Sequence, residues 1–273
     1  LGWIVSEGAF FPKDSALNNL RLRASWGRLG NEGALEYYDF LSLRSSYNTK
    51  FQGYVQGDGQ NPWLGSSARG LEYRPLKWET TDTKNIGIDF GLYNNKLTGT
   101  FNYYYNTTED LLITKALSPS AGLTDPTLNV GEMRNTGIEL EINWADRIHN
   151  FDYNIGFNMS TTSNKVIKLA DAGQVLWGEG LKYGEEHFPT QTRVGKPIGV
   201  FDLYKTNGIF QNDAEVAAHV NKNGNPLQPN ARPGDIRFVD TDGNGEINDD
   251  DKEYSGSAIP KFEANLNLGA GYK

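Results

Sequence analysis

Cysteine is absent from the 273 residues, which excludes disulfide staples and thiolate-ligated zinc or iron–sulfur centres. Histidine occurs three times, at His149, His187 and His219, each an isolated loop or strand-end position, too few for a histidine-built metal site. Basic charge is outnumbered, 26 Lys and Arg against 34 Asp and Glu, for a net −8. With no basic stripe to neutralise phosphates, nucleic acid is not an expected partner. Enzyme signatures are missing too: there is no G-x-S-x-G elbow, P-loop, H-E-x-x-H pair or Ser/His/Asp grouping. Carboxylates are plentiful enough to leave a glycosidase-type pair open on composition alone, but no enzyme is expected. Finally, no apolar run approaches the roughly eighteen residues of a membrane helix.

That last absence leaves one membrane architecture standing, because a transmembrane β-barrel meets lipid with every second residue and hides from averaged hydropathy. Fourteen Tyr, thirteen Phe, six Trp and thirty-one Gly are the mix such a barrel uses. Periodicity has to decide, and six segments alternate with period two. In KLTGTFNYYYN, Leu97, Phe101, Tyr103 and Tyr105 share one face, with Thr98, Thr100 and Asn102 on the other. NIGIDFGLY sets Ile86, Ile88, Phe90 and Leu92 against Asn85 and Asp89. GIELEINW sets Ile138, Leu140, Ile142 and Trp144 against Glu139, Glu141 and Asn143, and FDYNIGFNM sets Phe151, Tyr153, Ile155, Phe157 and Met159 against Asp152, Asn154 and Asn158. LRLRASW and FEANLNLGAGY repeat the scheme, with Arg21, Arg23, Glu263, Asn265 and Asn267 polar.

Runs of about nine to eleven residues suit tilted strands crossing a bilayer. Trp26, Tyr93, Trp144 and Tyr272 lie near run ends, where an interfacial aromatic belt belongs. Asn94-Asn95 reads as a hairpin turn and ADRIHN as a second connection. Residues 27–77 and 164–261 read as long, Gly- and Pro-containing connections, and outer-membrane barrels do alternate short turns with long loops. Asn212 to Val220 reads as one short helix, capped by Asn212 with Glu215 three residues on. A soluble antiparallel sheet with one wet face also alternates and stays open. Aromatic-rich apolar faces, mid-strand charge and the lack of any fully buried run favour the barrel. The expected fold is all-β, an antiparallel transmembrane barrel with long loops.

DTDGNGEINDDD, Asp240 to Asp251, fits the calcium-loop template. Asp240, Asp242 and Asn244 supply oxygens at positions one, three and five, Glu246 a backbone carbonyl at seven, Asn248 position nine and Asp251 position twelve. Gly245 permits the sharp turn. Asp at position twelve resembles a dockerin-type loop rather than an EF-hand, and the preceding GDIRFV is strand-like. Calcium held here would be structural; a metal-free solvated acidic loop is the alternative. Trp3, Trp63 and Trp177, near glycines in loop-like sequence, are candidates for stacking on a sugar or peptide, with plain loop packing as the other reading.

Several stretches, in order, resemble the SusC/RagA-like TonB-dependent transporters of the Bacteroidota outer membrane. They are LRLRASWGRLGNEG, LKWETTDTKNIGIDFGLYNNKLTGTFNYYYNTTEDLL, NVGEMRNTGIELEINW, VGKPIGVFDLYKTNGIFQ and PGDIRFVDTDGNGEINDDDKEYSGSAIPKF, together nearly the whole chain. The resemblance implies the C-terminal portion of a large, plugged barrel of roughly 22 strands. It implies TonB-driven import of a glycan or peptide, a SusD-like surface lipoprotein as partner, a TonB-type partner reached through an N-terminal part with no counterpart here, and outer-membrane lipid around the wall. Arg21, Arg23, Glu139 and Glu141 would then line the lumen. The chain, which starts at Leu1 without Met, reads as a piece of a longer one. A soluble secreted binding module with a dockerin-like loop and a passive porin remain the alternatives at this point.

Overall fold

The structure, a computed structural model, describes residues 1–12, 15–33, 35, 76–115, 117–122, 125–178 and 188–272, with backbone ladders alone for 44–46, 53–55, 62–64 and 66–68. In chain order the strands begin with β1 (Gly2–Ile4), β2 (Leu17–Asn31), β3 (Arg44–Ser46), β4 (Gly53–Val55), β5 (Pro62–Leu64) and β6 (Ser66–Ala68). Next come β7 (Glu79–Leu92), β8 (Leu97–Thr114), β9 (Thr127–Ile148), β10 (Phe151–Thr161) and β11 (Ser163–Lys168). Then follow β12 (Val175–Trp177), β13 (Thr190–Arg193), β14 (Val200–Tyr204), β15 (Thr206–Ile209), helix α1 (Asp213–Ala218), β16 (Ile236–Phe238), β17 (Lys252–Ser257) and β18 (Phe262–Tyr272).

The chain divides into two compact units, Leu1–Gln174 with Lys261–Lys273, and Val175–Pro260. The first holds an eight-stranded sheet in the order β1-β2-β7-β8-β9-β10-β18, with β11 also paired to β9, and every pairing is antiparallel. Among the described residues this order does not close on itself, so the sheet is an arc of wall rather than a full barrel.

All six alternating segments are strands of this sheet, and β18 has the bounds of the segment that announced it. β10, with 11, also keeps to the expected nine to eleven residues, and the other four overrun them: β2 has 15, β7 14, β8 18 and β9 22. Their extra length takes in residues with weaker alternation, because a strand continuing beyond a bilayer has no lipid face to maintain. The expected connections shrink accordingly, since residues 27–31 belong to β2 and 163–168 to β11. ADRIHN contracts to His149-Asn150, because Ala145 to Ile148 pair with β10.

Turn geometry sorts the two ends of the sheet. At one end β7 and β8 are joined across 93–96, where Tyr93, Asn94 and Asn95 all take φ between +54° and +61°, and β9 and β10 across 149–150, with His149 at φ +56°. Asn tolerates that left-handed region; Asn18 Oδ1 also accepts from the Asn94 N–H, which pins the turn. The connections 32–78, 115–126 and 169–261 all leave from the opposite end.

The second unit has a four-stranded sheet, β12-β13-β14-β17, and a β15-β16 ladder. Helix α1 forms where expected: Asn212 Oδ1 accepts from Glu215 N at 2.9 Å. Fully buried Phe210 and Val200 supply its apolar interior.

Candidate functional site: a two-faced wall and an acidic loop

Register lines the strands into rungs, and each rung is apolar on one face and polar on the other. Leu22, Ile88, Phe101, Leu140, Met159 and Ala264 form one apolar rung; Ala24, Ile86, Tyr103 and Ile138 continue the next. These side chains stay uncovered, with Ile86 61% and Leu268 72% exposed. A soluble sheet would bury such a face against a second layer. At the short-turn end aromatics gather: Tyr93 and Trp144 lie 6.3 Å apart, Trp144 Nε1 donates to Tyr153 Oη at 3.3 Å, and Phe151 stacks on Tyr153. Ten residues along β9 separate the rung of Tyr153, at Asp146, from the rung of Tyr105, at Thr136. At about 3.4 Å per residue and a tilt of about 40–45°, that is roughly 25 Å of height, the apolar band of an outer-membrane barrel.

The other face carries the four residues placed there by parity, Arg21, Arg23, Glu139 and Glu141. Arg23 grips Asp89 with two bonds, Nε to Oδ2 at 2.7 Å and Nη2 to Oδ1 at 2.8 Å, and Nη2 also donates to Asn102 Oδ1 at 2.9 Å. Thr100 donates to Asp89 at 3.2 Å, Asn102 to Glu139 at 3.4 Å and Asn143 to Glu141 at 2.8 Å. The chain of contacts crosses β2, β7, β8 and β9. In sequence Asp89 shows only as a polar-face residue; the Asn94-Asn95 turn fixes the register of β7 against β8 alone, so no local signal marked it as the partner of Arg23 on β2.

In the second unit the acidic loop follows β16. Asp240 accepts from Gly243 N at 2.7 Å and Gly245 N at 2.9 Å, Asp242 from Asn244 N at 2.9 Å, and Asn244 from Glu246 N at 2.8 Å. Gly243 and Gly245 take φ of +74° and +95°, which other residues strongly resist. Asp251 is fully buried. Its Oδ1 accepts from Thr241 N at 2.6 Å and Thr241 Oγ1 at 3.0 Å, and its Oδ2 from Asn248 N at 2.9 Å. Burial pushes the Asp251 carboxyl up, but these donors outweigh it and hold it below the usual carboxylate range. One carboxylate oxygen from each of Asp240, Asp242 and Asp251 lies within 4.8 Å of the others. Three like charges so close repel one another unless a cation or strong donors intervene. The neighbouring Asp249 is occupied elsewhere: Lys252 Nζ pairs with it at 2.8 Å and Tyr204 Oη donates to it at 2.8 Å. Burial and that carboxylate push the Tyr204 phenol up to about 12.

The six loop residues therefore separate into two groups. Asp240, Asp242 and Asp251 converge as a hard-oxygen set. Asn248 instead caps the following turn, accepting from Asp250 N at 2.9 Å, and Asn244 and Glu246 are tied to each other through the loop backbone. Asn221, not foreseen, donates to Gly245 O at 2.9 Å and ties the loop to a neighbouring turn.

The tryptophan candidates lie in short strands rather than loops. Trp3 in β1 is opposite Leu22 on the apolar face and 6.1 Å from Phe10, which suits an aromatic facing lipid more than a ligand platform. Trp177 in β12 is half exposed and tilts on Phe188 at 6.2 Å. Trp63 falls on β5, its side chain outside the described residues, as is His187.

Residues 3–273 match the family described as TonB dependent receptor-like, beta-barrel. The chain belongs to that family. Among curated relatives, TonB-dependent receptor P3 of Formosa agariphila is 29% identical over 100% of this chain and 26% of its own length. TonB-dependent receptor SusC of Bacteroides thetaiotaomicron is 27% identical over 92% of this chain and 23% of its own. The solved structure titled "Structure of the RagAB peptide transporter" superposes with a TM-score of 0.71 at 21% identity, covering 100% of this chain and 27% of that one. This SusC/RagA-like member thus spans about a quarter of the length of the relatives it matches, and its open arc is a stretch of a TonB-dependent receptor wall. Relatives of this kind are outer-membrane receptors and transporters.

Proposed function

We propose that the intact protein imports a nutrient across the outer membrane by TonB coupling, and that this chain supplies strands and long loops of its barrel. The observation carrying the reading is the two-faced wall: a bare apolar band of roughly 25 Å backed by a charged face, with short turns at one end and long connections at the other. Peptide is the cargo named for RagAB, and glycan is the cargo the family resemblance implies; either fits a lumen edged by Arg23, Asp89, Glu139 and Glu141. A SusD-like lipoprotein is the proposed partner on the loop side. The intact protein should fractionate with outer membranes, migrate anomalously on gels unless boiled, and bring down a surface lipoprotein when tagged. Cargo uptake should stop when the proton-motive force is collapsed; uptake that persists would mean a passive pore, and recovery in the soluble fraction would sink the barrel.

The acidic loop, on this reading, is stiffened by calcium on the extracellular side. Asp240, Asp242 and Asp251 are suited to hold the ion, and the two positive-φ glycines let the backbone fold around it. The ion would supply charge neutralisation and loop shape. Calcium should slow protease cleavage between residues 239 and 252 of the intact protein by several-fold relative to chelator, mapped by mass spectrometry; identical cleavage in both conditions would remove the metal from the proposal.

A further inference from the structure

At the long-connection end of the apolar face the chemistry changes abruptly. One rung above Ile86, Tyr103 and Ile138 stand Trp26, Lys84, Tyr105 and Thr136, and one rung higher Arg28, Asp82, Thr107, Arg134 and Lys165. Lys84 Nζ lies 5.8 Å and Arg134 Cζ 5.1 Å from the centre of the Tyr105 ring, so both cations stack on one aromatic. Arg134 and Lys165 are direct cross-strand partners, a like-charge pairing that weakens a ladder. Arg134 Nε is buried and meets no hydrogen-bond acceptor. The nearest acid, Asp82, shares the rung of Arg134 and Lys165 and feels Lys84 through space, but is not free for it. Asp82 is taken by Arg28, with Nε to Oδ1 at 2.9 Å; Glu132 is opposite Lys168, and Glu109 is opposite Thr80. Among the described residues no carboxylate lies within ion-pair distance of Lys84, Arg134 or Lys165.

A cationic cluster whose nearby acid, Asp82, is already paired with Arg28, and which holds an orphaned guanidinium donor, calls for an anion. Its position names the source, because the cluster continues directly from the band that meets lipid tails, about where headgroups begin. We infer that Lys84, Arg134 and Lys165, with Tyr105 as their floor, bind the phosphate of an outer-leaflet lipid headgroup. This rests on the outer-membrane reading above. Arg134 provides the planar donor fork that phosphate accepts, and the two lysines flank it as point charges. The bound lipid relieves the Arg134–Lys165 repulsion, so the site also seals the upper rim of the wall.

The test is native mass spectrometry of the intact protein, extracted from its outer membrane and carried through detergent exchange, with and without Lys84→Gln, Arg134→Gln and Lys165→Gln combined. Wild type should keep phosphorylated lipid and the triple variant should lose it, with apparent affinity falling roughly a hundredfold at about fivefold per interfacial charge. Arg134→Lys in place of Arg134→Gln in the triple variant should restore part of the binding, and Lys165→Gln alone, at an exposed site, should show a partial loss even if the triple variant folds poorly. Equal lipid retention in wild type and Lys165→Gln would overturn the inference, as would displacement of the lipid by millimolar inorganic phosphate, which would make the site one for free anions. Failure to fractionate with outer membranes is read separately, before any lipid is measured, and would overturn the location together with this site.

Discussion

Asp251→Ala should open the acidic loop while leaving the barrel wall intact. The carboxylate is fully buried and accepts from three backbone N–H groups at 2.6, 2.9 and 3.4 Å and from one hydroxyl at 3.0 Å. Removing it strands those donors in a place that water does not reach, at a local cost of about 3 kcal/mol, or roughly a hundredfold rise in the open population. Protease cutting between 239 and 252 should increase accordingly, with outer-membrane yield unchanged. Asp242→Asn makes the contrast, because the Asp242 side chain is exposed and, among the described residues, bonds only to Asn244; it should abolish the increment due to calcium and spare the metal-free loop. Should Asp251→Ala behave like Asp242→Asn, the buried carboxylate is no keystone.

The same residue sets a pH dependence. A carboxyl held below its ordinary value in the fold stabilises the loop above the unfolded pKa of about 3.9 and gives that stability up as pH falls through the lower folded value. Protease resistance of the metal-free loop should therefore stay level from neutrality down to about pH 4 and fall only in stronger acid.

How much of this was legible in sequence follows from what each region must satisfy. Between the aromatic rows, lipid on one side and polar contacts on the other force strict alternation, so Ile138, Leu140, Ile142 and Trp144 showed their strand plainly. Residues 127–137 of the same strand lie beyond that band, where neither face is constrained, and the period blurs just where the ladder still runs. Fixed spacing brought Asp240, Asp242 and Asp251 to one point, because short-range geometry does it. Asn221 on Gly245, or Tyr204 on Asp249, are contacts between segments distant in sequence that no local pattern carries. The cationic patch was hidden for a related reason: Lys84, Arg134 and Lys165 lie on three strands, and only register makes them neighbours.

Gly137→Ala should be among the most damaging single changes in the wall, though it adds one methyl group. On β9, Gly137 is opposite Tyr104, and the strand across from it passes from β10 to β11 at Thr161-Thr162, where the register is kept but the backbone ladder to β9 is interrupted. The missing side chain lets Tyr104 lie over the glycine and reach the interruption, with its hydroxyl 3.2 Å from Thr161 O and 3.0 Å from Thr162 Oγ1. Thr161 Oγ1 in turn accepts from Ile138 N at 3.1 Å. A Cβ at 137 would collide with the Thr161 carbonyl oxygen and with the Tyr104 hydroxyl. A flexible side-chain tip could swing aside, but the carbonyl of Thr161, a residue still paired to β18, cannot move without disturbing that ladder, so the cost belongs at the upper end of the roughly 1–3 kcal/mol of overpacking. The yield of heat-modifiable protein in the outer membrane should fall several-fold. Gly27→Ala is the control, since a Cβ there meets nothing within 4 Å and should be tolerated. Tyr104→Phe keeps the ring over the glycine and loses only the hydroxyl contacts, so it should cost about 1 kcal/mol. If Gly137→Ala matched Gly27→Ala in yield, the gap in the ladder would be soft enough to move, and the switch from β10 to β11 would owe its position to the strands around it instead of to this glycine.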